Sequence, residues 1–245
     1  MRIWWFLDNL GTFLNEVYFP FLITKSLHEV IKTAVQFLNS HYNNLKMVEE
    51  KFLVPIDEYL KSGIHIGTKF KTRYMEKFIY KTRPDGLSVL NLQKINERLN
   101  IAAKFLAQYD PEDILIIGKR ESAWKPIKMF GKVTGAKVFA GRYPPGILTN
   151  PNLNEYIEVK VLMVVDFGPD RNAVMDAVKT GTPVIAICDT NNQSNNIDLV
   201  VPSNNKGKKS LGLFFWILAR EYLRNRNILK KDEEFKEKIE DFTEE

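Results

Sequence analysis

The sequence predicts an α/β fold of three layers, a mostly parallel sheet with helices on both faces. Three observations point there. Short, continuous apolar runs of strand length recur through the centre of the chain, as in strands buried on both sides. Stretches with helical apolar spacing lie between them, and strands that alternate with helices build parallel sheets. The 245 residues, 44% apolar and 27% charged, suffice for one large domain with a substantial core.

The first element of the body is a short strand at 87–90, after the turn Pro84-Asp85-Gly86. Residues 91–109 then read as a helix with Ile95, Leu99, Ala102, Ala103 and Leu106 on one face. Four apolar runs follow as strands, at 113–118, 136–140, 161–166 and 183–188, with a short fifth at 199–201. Helices at 121–133 and 171–179 separate them, the second capped by Asp170. The longest helix, 207–226, places Leu211, Phe214, Phe215, Leu218 and Tyr222 on a buried stripe. Lys209, Arg220 and Arg224 fall opposite, with Leu213 and Trp216 beside them, and Trp216 reads as partly buried packing.

The charge divides the chain into three. Residues 1–46 carry a net +1, residues 47–230 a net +9 and residues 231–245 a net −5, giving the formal total of +5. The first segment is rich in aromatics (Trp4, Trp5, Phe6 and six more) and ends in a polar linker at 39–44. It reads as a start-site over-call, with Met47 the true start, or as a docking segment with an exposed apolar face. The last segment reads as an acidic, mobile tail. A single cysteine excludes a disulfide framework and a Cys-rich zinc site. It also suggests a reducing cytosolic setting. No run approaches the 18–20 nearly charge-free residues of a spanning helix.

A doubly wound sheet invites a search for catalysis. There is no Gly-x-Gly, so no dinucleotide fingerprint. Gly207-Lys-Lys-Ser210 resembles the end of a phosphate-binding loop, but Pro202 stands where its first glycine should be. Asp166-Phe-Gly168 spells a kinase triplet without the accompanying catalytic loop, and reads as a strand end. His65 has no nucleophile near it in sequence, and Cys188 ends an apolar run as a small core residue. Asp166 and Asp189 follow strands at the carboxyl edge, where α/β enzymes place ligands. They carry the alternative reading, an α/β nucleotide-binding protein or enzyme. No metal or other cofactor and no small-molecule substrate is expected.

The basic charge is concentrated. Residues 61–83 hold Lys61, Lys69, Lys71, Arg73, Lys77, Lys81 and Arg83 against the single acid Glu76. His65 lies among them, and Phe70, Tyr74, Phe78 and Tyr80 are interleaved. Basic and aromatic residues in alternation suit phosphate neutralisation with stacking or packing alongside. Phe70 and Phe78 are expected to point into the core. A second site is the start of the long helix, where Asn204 or Asn205 caps and Lys206, Lys208 and Lys209 add charge to a helix N-terminus. The outer face with Arg220 and Arg224 either touches a phosphate backbone or is simply solvated. Arg142 sits in a proline-stiffened loop after a strand.

Several stretches resemble a known family. Gly63-Ile-His-Ile-Gly67, Asp85-Gly-Leu-Ser-Val-Leu-Asn-Leu-Gln93 and Gly141-Arg-Tyr-Pro-Pro-Gly-Ile-Leu-Thr-Asn150 come first. Cys188-Asp-Thr-Asn191, Ile197-Asp-Leu-Val-Val-Pro202, Asn204-Asn-Lys-Gly207 and Trp216-Ile-Leu-Ala-Arg-Glu221 follow. In that order, over about residues 50–228, they resemble the small-subunit ribosomal protein S2 family in its archaeal–eukaryotic branch, which is similar to the laminin-receptor-precursor proteins. The resemblance implies a flavodoxin-like, Rossmann-like sheet and a structural role on ribosomal RNA in the cytoplasmic ribosome. It also implies neighbouring small-subunit proteins as partners, a position near the messenger exit, and no enzymatic activity. The bacterial branch carries a coiled-coil insertion for which this chain has no room. The family has nothing like residues 1–46.

Overall fold

The computed structural model describes residues 52–229, 235 and 237–243. The expectations for residues 1–46 and for a start at Met47 lie outside the described residues. The chain opens with α1 (Ile56–Ser62), a 3-10 turn (Met75–Phe78) and an antiparallel hairpin of β1 (Ile79–Thr82) and β2 (Ser88–Leu90). The expected strand at 87–90 is thus half of a separate two-stranded sheet. Its partner β1 escapes a reading of apolar runs because three of its four residues, Tyr80, Lys81 and Thr82, are exposed. One residue, the N-cap Asn91, joins β2 to α2 (Leu92–Leu106), and its side chain accepts a hydrogen bond from the Gln93 N–H. The helix follows without an insertion.

The main sheet comprises β3 (Ile114–Gly118), β4 (Lys137–Ala140), β5 (Val161–Val164), β6 (Val184–Cys188) and β7 (Leu199–Pro202). All pairings are parallel, in the order β4-β3-β5-β6-β7. Counted within the sheet this is second-first-third-fourth-fifth, the flavodoxin-like order, whose direction reverses between its first and third strands. Every residue of β3, β5 and β6 is buried, which explains their unbroken apolar sequences.

Between the strands run α3 (Glu121–Thr134), α4 (Arg171–Thr180) and α5 (Lys208–Asn225). Crossovers in opposite directions from the reversal point, kept right-handed, send α3 and α4 to opposite faces. α5 packs on α3 and α2, forming one helical layer. On the other face α4 is joined by the loop after β4. There Asp176 accepts hydrogen bonds from the Tyr143 hydroxyl (3.2 Å) and the Gly146 N–H (2.8 Å). Asp170 occupies the N-cap position of α4 but makes no capping hydrogen bond. Its buried side chain turns to the Lys119 N–H instead, so the expected cap is corrected.

Two expectations about the long helix also change. α5 is buried almost all round: Leu213, Ile217, Arg220 and Glu221 are covered together with the expected stripe. The second covering layer is α1 on one side and α6 (Ile239–Phe242) on the other. The last segment, expected to be a mobile tail, is docked over residues 237–243. Phe242 is fully buried, Lys125 Nζ donates to the Thr243 carbonyl (2.6 Å), and Trp216 Nε1 donates to the Glu237 carbonyl (2.7 Å). A Cβ on Gly212 would lie 2.4 Å from Thr243 Cγ2 and 3.1 Å from the Phe242 carbonyl oxygen. Glycine in mid-helix thus gives the docked segment its seat, against its low helix propensity.

Candidate nucleic-acid interface

The two basic segments are separated by more than a hundred residues, yet the backbone stitches them together at the carboxyl edge of the sheet. Thr190, just after β6, is the joint. Its hydroxyl meets the Thr68 N–H (2.9 Å) and the Phe70 carbonyl (3.0 Å), and its own carbonyl accepts from the Thr72 N–H (2.9 Å). The Thr72 hydroxyl donates to the Asn192 carbonyl (3.0 Å). Gly67 donates its N–H to the Ser88 carbonyl, tying the same strip to the hairpin. A Cβ there would lie 2.5 Å from Thr190 Cγ2 and 2.9 Å from the Ser88 oxygen. Only glycine permits that approach. On the other flank, the Asn204 N–H donates to the Ile64 carbonyl, and Asn204 Nδ2 to the Gly63 carbonyl.

Below this seam lies a buried polar network. Asp166 Oδ2 takes Arg120 Nη2 at 2.5 Å and Nε at 2.6 Å. Its Oδ1 accepts from Asn192 Nδ2 at 2.7 Å and the Gly168 N–H at 3.2 Å. Asp189 pairs with Lys206 Nζ at 3.0 Å. Asn205, expected as a possible cap, is fully buried, and its amide donates to the Val165 and Ile187 carbonyls and to Asn192 Oδ1. Asn204 Oδ1 accepts from the Lys206 and Gly207 N–H groups, ahead of the N-cap, which is Gly207 itself. The alternative enzyme reading rested on Asp166 and Asp189. Both carboxylates are buried and spent on fixed partners, with no open coordination or proton-transfer position. Among the described residues no cluster of potential metal ligands occurs.

The structure sorts the expected contact residues. Lys69, Lys71 and Arg73 are exposed on the stitched strip, and Lys71 reaches Glu76 at 3.2 Å. Phe70 is a correction: instead of pointing into the core it is 80% exposed between Lys69 and Lys71. Phe78 is buried as expected. Lys77 Nζ lies 3.7 Å from the Tyr74 ring centre, a cation–π contact on the surface. Lys81 and Arg83 are exposed on the hairpin, Arg83 within 3.5 Å of Asp85. Lys61 is exposed in the last turn of α1. Lys208 and Lys209 are exposed in the first turn of α5. His65 is half-buried, and burial lowers its pKa, the Tyr59 carbonyl partly opposing this.

Three residues are not brought into this group. Arg142 is exposed but follows β4, at the opposite end of the edge, about 19 Å from β7 at the usual strand spacing. Arg220 is buried: its guanidinium pairs with Glu221 (3.0 Å) and donates to the Leu53 carbonyl (2.6 Å). Burial lowers its pKa. Arg224 binds the same Glu221 oxygen at 3.0 Å. Both lie roughly 17 Å or more along the helix from Lys209. Arg220 ties α5 to the segment just before α1, and Arg224 pairs within α5 itself. Conversely, Lys119 after β3 and Arg171 after β5 are exposed at the carboxyl edge and were not singled out. Lys119 directly follows β3 and Arg171 opens α4, and those positions were the available signal.

The fold and the site together define an α/β scaffold with a cationic carboxyl edge. Residues 59–159 and 154–224 match the ribosomal protein S2 family, and the chain belongs to it. Similar proteins include the small ribosomal subunit protein uS2 of Nanoarchaeum equitans, 50% identical over 190 residues, 78% of this chain and 94% of that protein. The uS2 of Picrophilus torridus is 48% identical over 196 residues, 80% and 98% of the two chains. That of Saccharolobus solfataricus is 49% identical over 182 residues, 74% and 79%. Membership makes this chain a structural protein and not an enzyme.

Proposed function

We propose that the protein is a structural constituent of the small ribosomal subunit in the cytoplasm, holding ribosomal RNA against the carboxyl edge of its sheet and supporting assembly and translation. The observation that carries this is the joining of two distant basic segments, 68–72 and 204–209, through Thr190, Asn192 and Asp189. Lys69, Lys71, Lys208 and Lys209 then present cations from one surface, beside the Lys206–Asp189 pair. Lys61 on α1, Arg73 and Lys77 around the 3-10 turn, and Lys81 and Arg83 on the hairpin extend it, and Arg142 adds a distant contact. The relatives' names, small ribosomal subunit protein uS2, support the same reading. Neighbouring small-subunit proteins are the expected protein partners.

The test is ionic strength. With about six phosphates neutralised, raising salt from 50 to 200 mM weakens binding to small-subunit RNA roughly 10³-fold. An affinity that ignores salt contradicts the proposal.

A further inference from the structure

We infer that Phe70 is the stacking residue of this interface, taking the face of one unpaired nucleobase of the bound RNA. This deepens the ribosomal reading and rests on it.

The ring is 80% exposed, yet the backbone that carries it is fixed. The Phe70 carbonyl accepts two hydroxyls, from Thr68 (3.0 Å) and from Thr190 (3.0 Å). On either side, the Thr68 N–H donates to the Thr190 hydroxyl and the Thr72 N–H to the Thr190 carbonyl. The strip is thus held at residues 68, 70 and 72, and this anchoring keeps the ring out in water. A side chain presented from a fixed backbone loses less freedom when a ligand covers it.

The faces of the ring are open. Two other exposed aromatics of the basic segment carry cations, Lys77 Nζ lying 3.7 Å from the Tyr74 ring centre and Lys81 Nζ 6.0 Å from that of Tyr80. Among the described residues no ring or cation makes such a contact with Phe70. Its two neighbours in sequence turn elsewhere. The Lys69 stem runs beside Gly86, where an added Cβ would lie 3.9 Å from it, and Lys71 pairs with Glu76.

What surrounds the ring decides its occupant. Lys69, Lys71 and Arg73 are exposed on the same strip, so a polyanion held there meets Phe70 as well. An RNA duplex offers phosphates, riboses and groove edges, with its base faces stacked inside. The group of RNA that matches an apolar ring with a free π face is an unstacked base. An apolar pocket on a neighbouring protein would suit the ring alone. It would also desolvate the adjacent ammonium groups, and lysine is depleted in protein interfaces.

The experiment measures binding of the full chain to a ten-nucleotide oligoadenylate and to an abasic ribose-phosphate chain of the same length, by fluorescence anisotropy. The wild-type protein is expected to prefer the base-bearing chain about tenfold. Phe70→Ala should abolish that preference and Phe70→Trp should keep it. Phe70→Leu, apolar but without a π face, should behave as the alanine variant. All three should melt within about 2 °C of wild type, as for surface changes, and a larger shift would give the ring a structural role and overturn the proposal. Equal binding of the two chains by wild type, or a preference undiminished in Phe70→Ala or Phe70→Leu, overturns the stacking role and leaves the RNA reading standing. Failure to bind either chain overturns the stacking role if small-subunit RNA is still bound in a salt-dependent way, and the RNA reading itself if it is not.

Discussion

Arg120 closes the crevice of the sheet by gripping Asp166 with two nitrogens on one carboxylate oxygen, at 2.5 and 2.6 Å. The two residues follow β3 and β5, the strands between which the sheet order reverses, and open α/β proteins bind ligands at that point. Here the position is occupied from within. Asp166 has its remaining oxygen satisfied by Asn192 and Gly168, and Asn192 continues through Asn205 to β6. The carboxyl edge is thereby made a rigid platform, and the cations stand on it.

Removing one partner of that pair leaves a buried charge uncompensated. Arg120→Ala is expected to lower stability by about 2–3 kcal/mol, below the usual cost for a fully buried pair because Arg120 is partly exposed. Urea denaturation checks it, and a loss under 0.5 kcal/mol, about the size of an ordinary surface change, would show that the network does not hold the edge.

Asp170 gives a pH dependence. Burial, with the nearby Asp166 charge adding to it, raises its carboxyl from 3.8 to about 6, against the Lys119 N–H. A raised folded value means stability is greatest with the proton on and is lost as pH climbs from about 4 to about 6. Asp170→Asn should therefore be increasingly stabilising with pH, its advantage growing by about 2 kcal/mol between pH 4.5 and 7.5. Urea midpoints of both proteins at the two pH values test this, and parallel curves would refute it.

Basic residues of different surroundings should separate cleanly. Replacing Lys69, Lys71 and Lys81 together by Gln should leave the melting temperature within about 2 °C, as for surface changes, while lowering the salt slope of RNA binding by about one per lysine. Arg220→Ala should do the reverse. It leaves the buried Glu221 with Arg224 alone and the Leu53 carbonyl without its donor and costs about 2–3 kcal/mol, with the salt slope unchanged. The two measurements on the same variants decide which arginines and lysines face RNA.

Gly212→Ala should expel the docked C-terminal segment without unfolding the body. The added carbon collides with Thr243 and the Phe242 backbone, whereas alanine itself favours the helix. Limited proteolysis is expected to cut after residue 229 far faster in the variant, with the far-ultraviolet circular dichroism preserved. Equal cleavage rates would show that the segment does not depend on this seat.

Much of the architecture was legible because burial on both faces demands unbroken apolar strands: residues 113–118, 161–166 and 183–188 announce themselves. The buried face of α2 was readable from Ile95, Leu99 and Leu106 in the same way. β1 was not, because a hairpin strand with three solvated residues has no hydrophobic signature. The all-round burial of α5 was hidden too. Arg220 and Glu221 look like a solvated face until the segment at Leu53, 167 positions before Arg220, comes to cover them. For the site, lysine clusters showed in the sequence, but their union through Thr190 did not, since a hydrogen bond spanning 122 positions leaves no local pattern. The exposure of Phe70 had one available clue, the lysines on both sides of it.

A density map of the small subunit from the source organism tests the central claim most directly. The predicted result is the carboxyl edge facing RNA, with Lys69, Lys71 and Lys209 within contact distance of phosphates and the Arg120–Asp166 pair intact behind them. A map in which that edge faces open solvent, or from which the protein is missing, would contradict it.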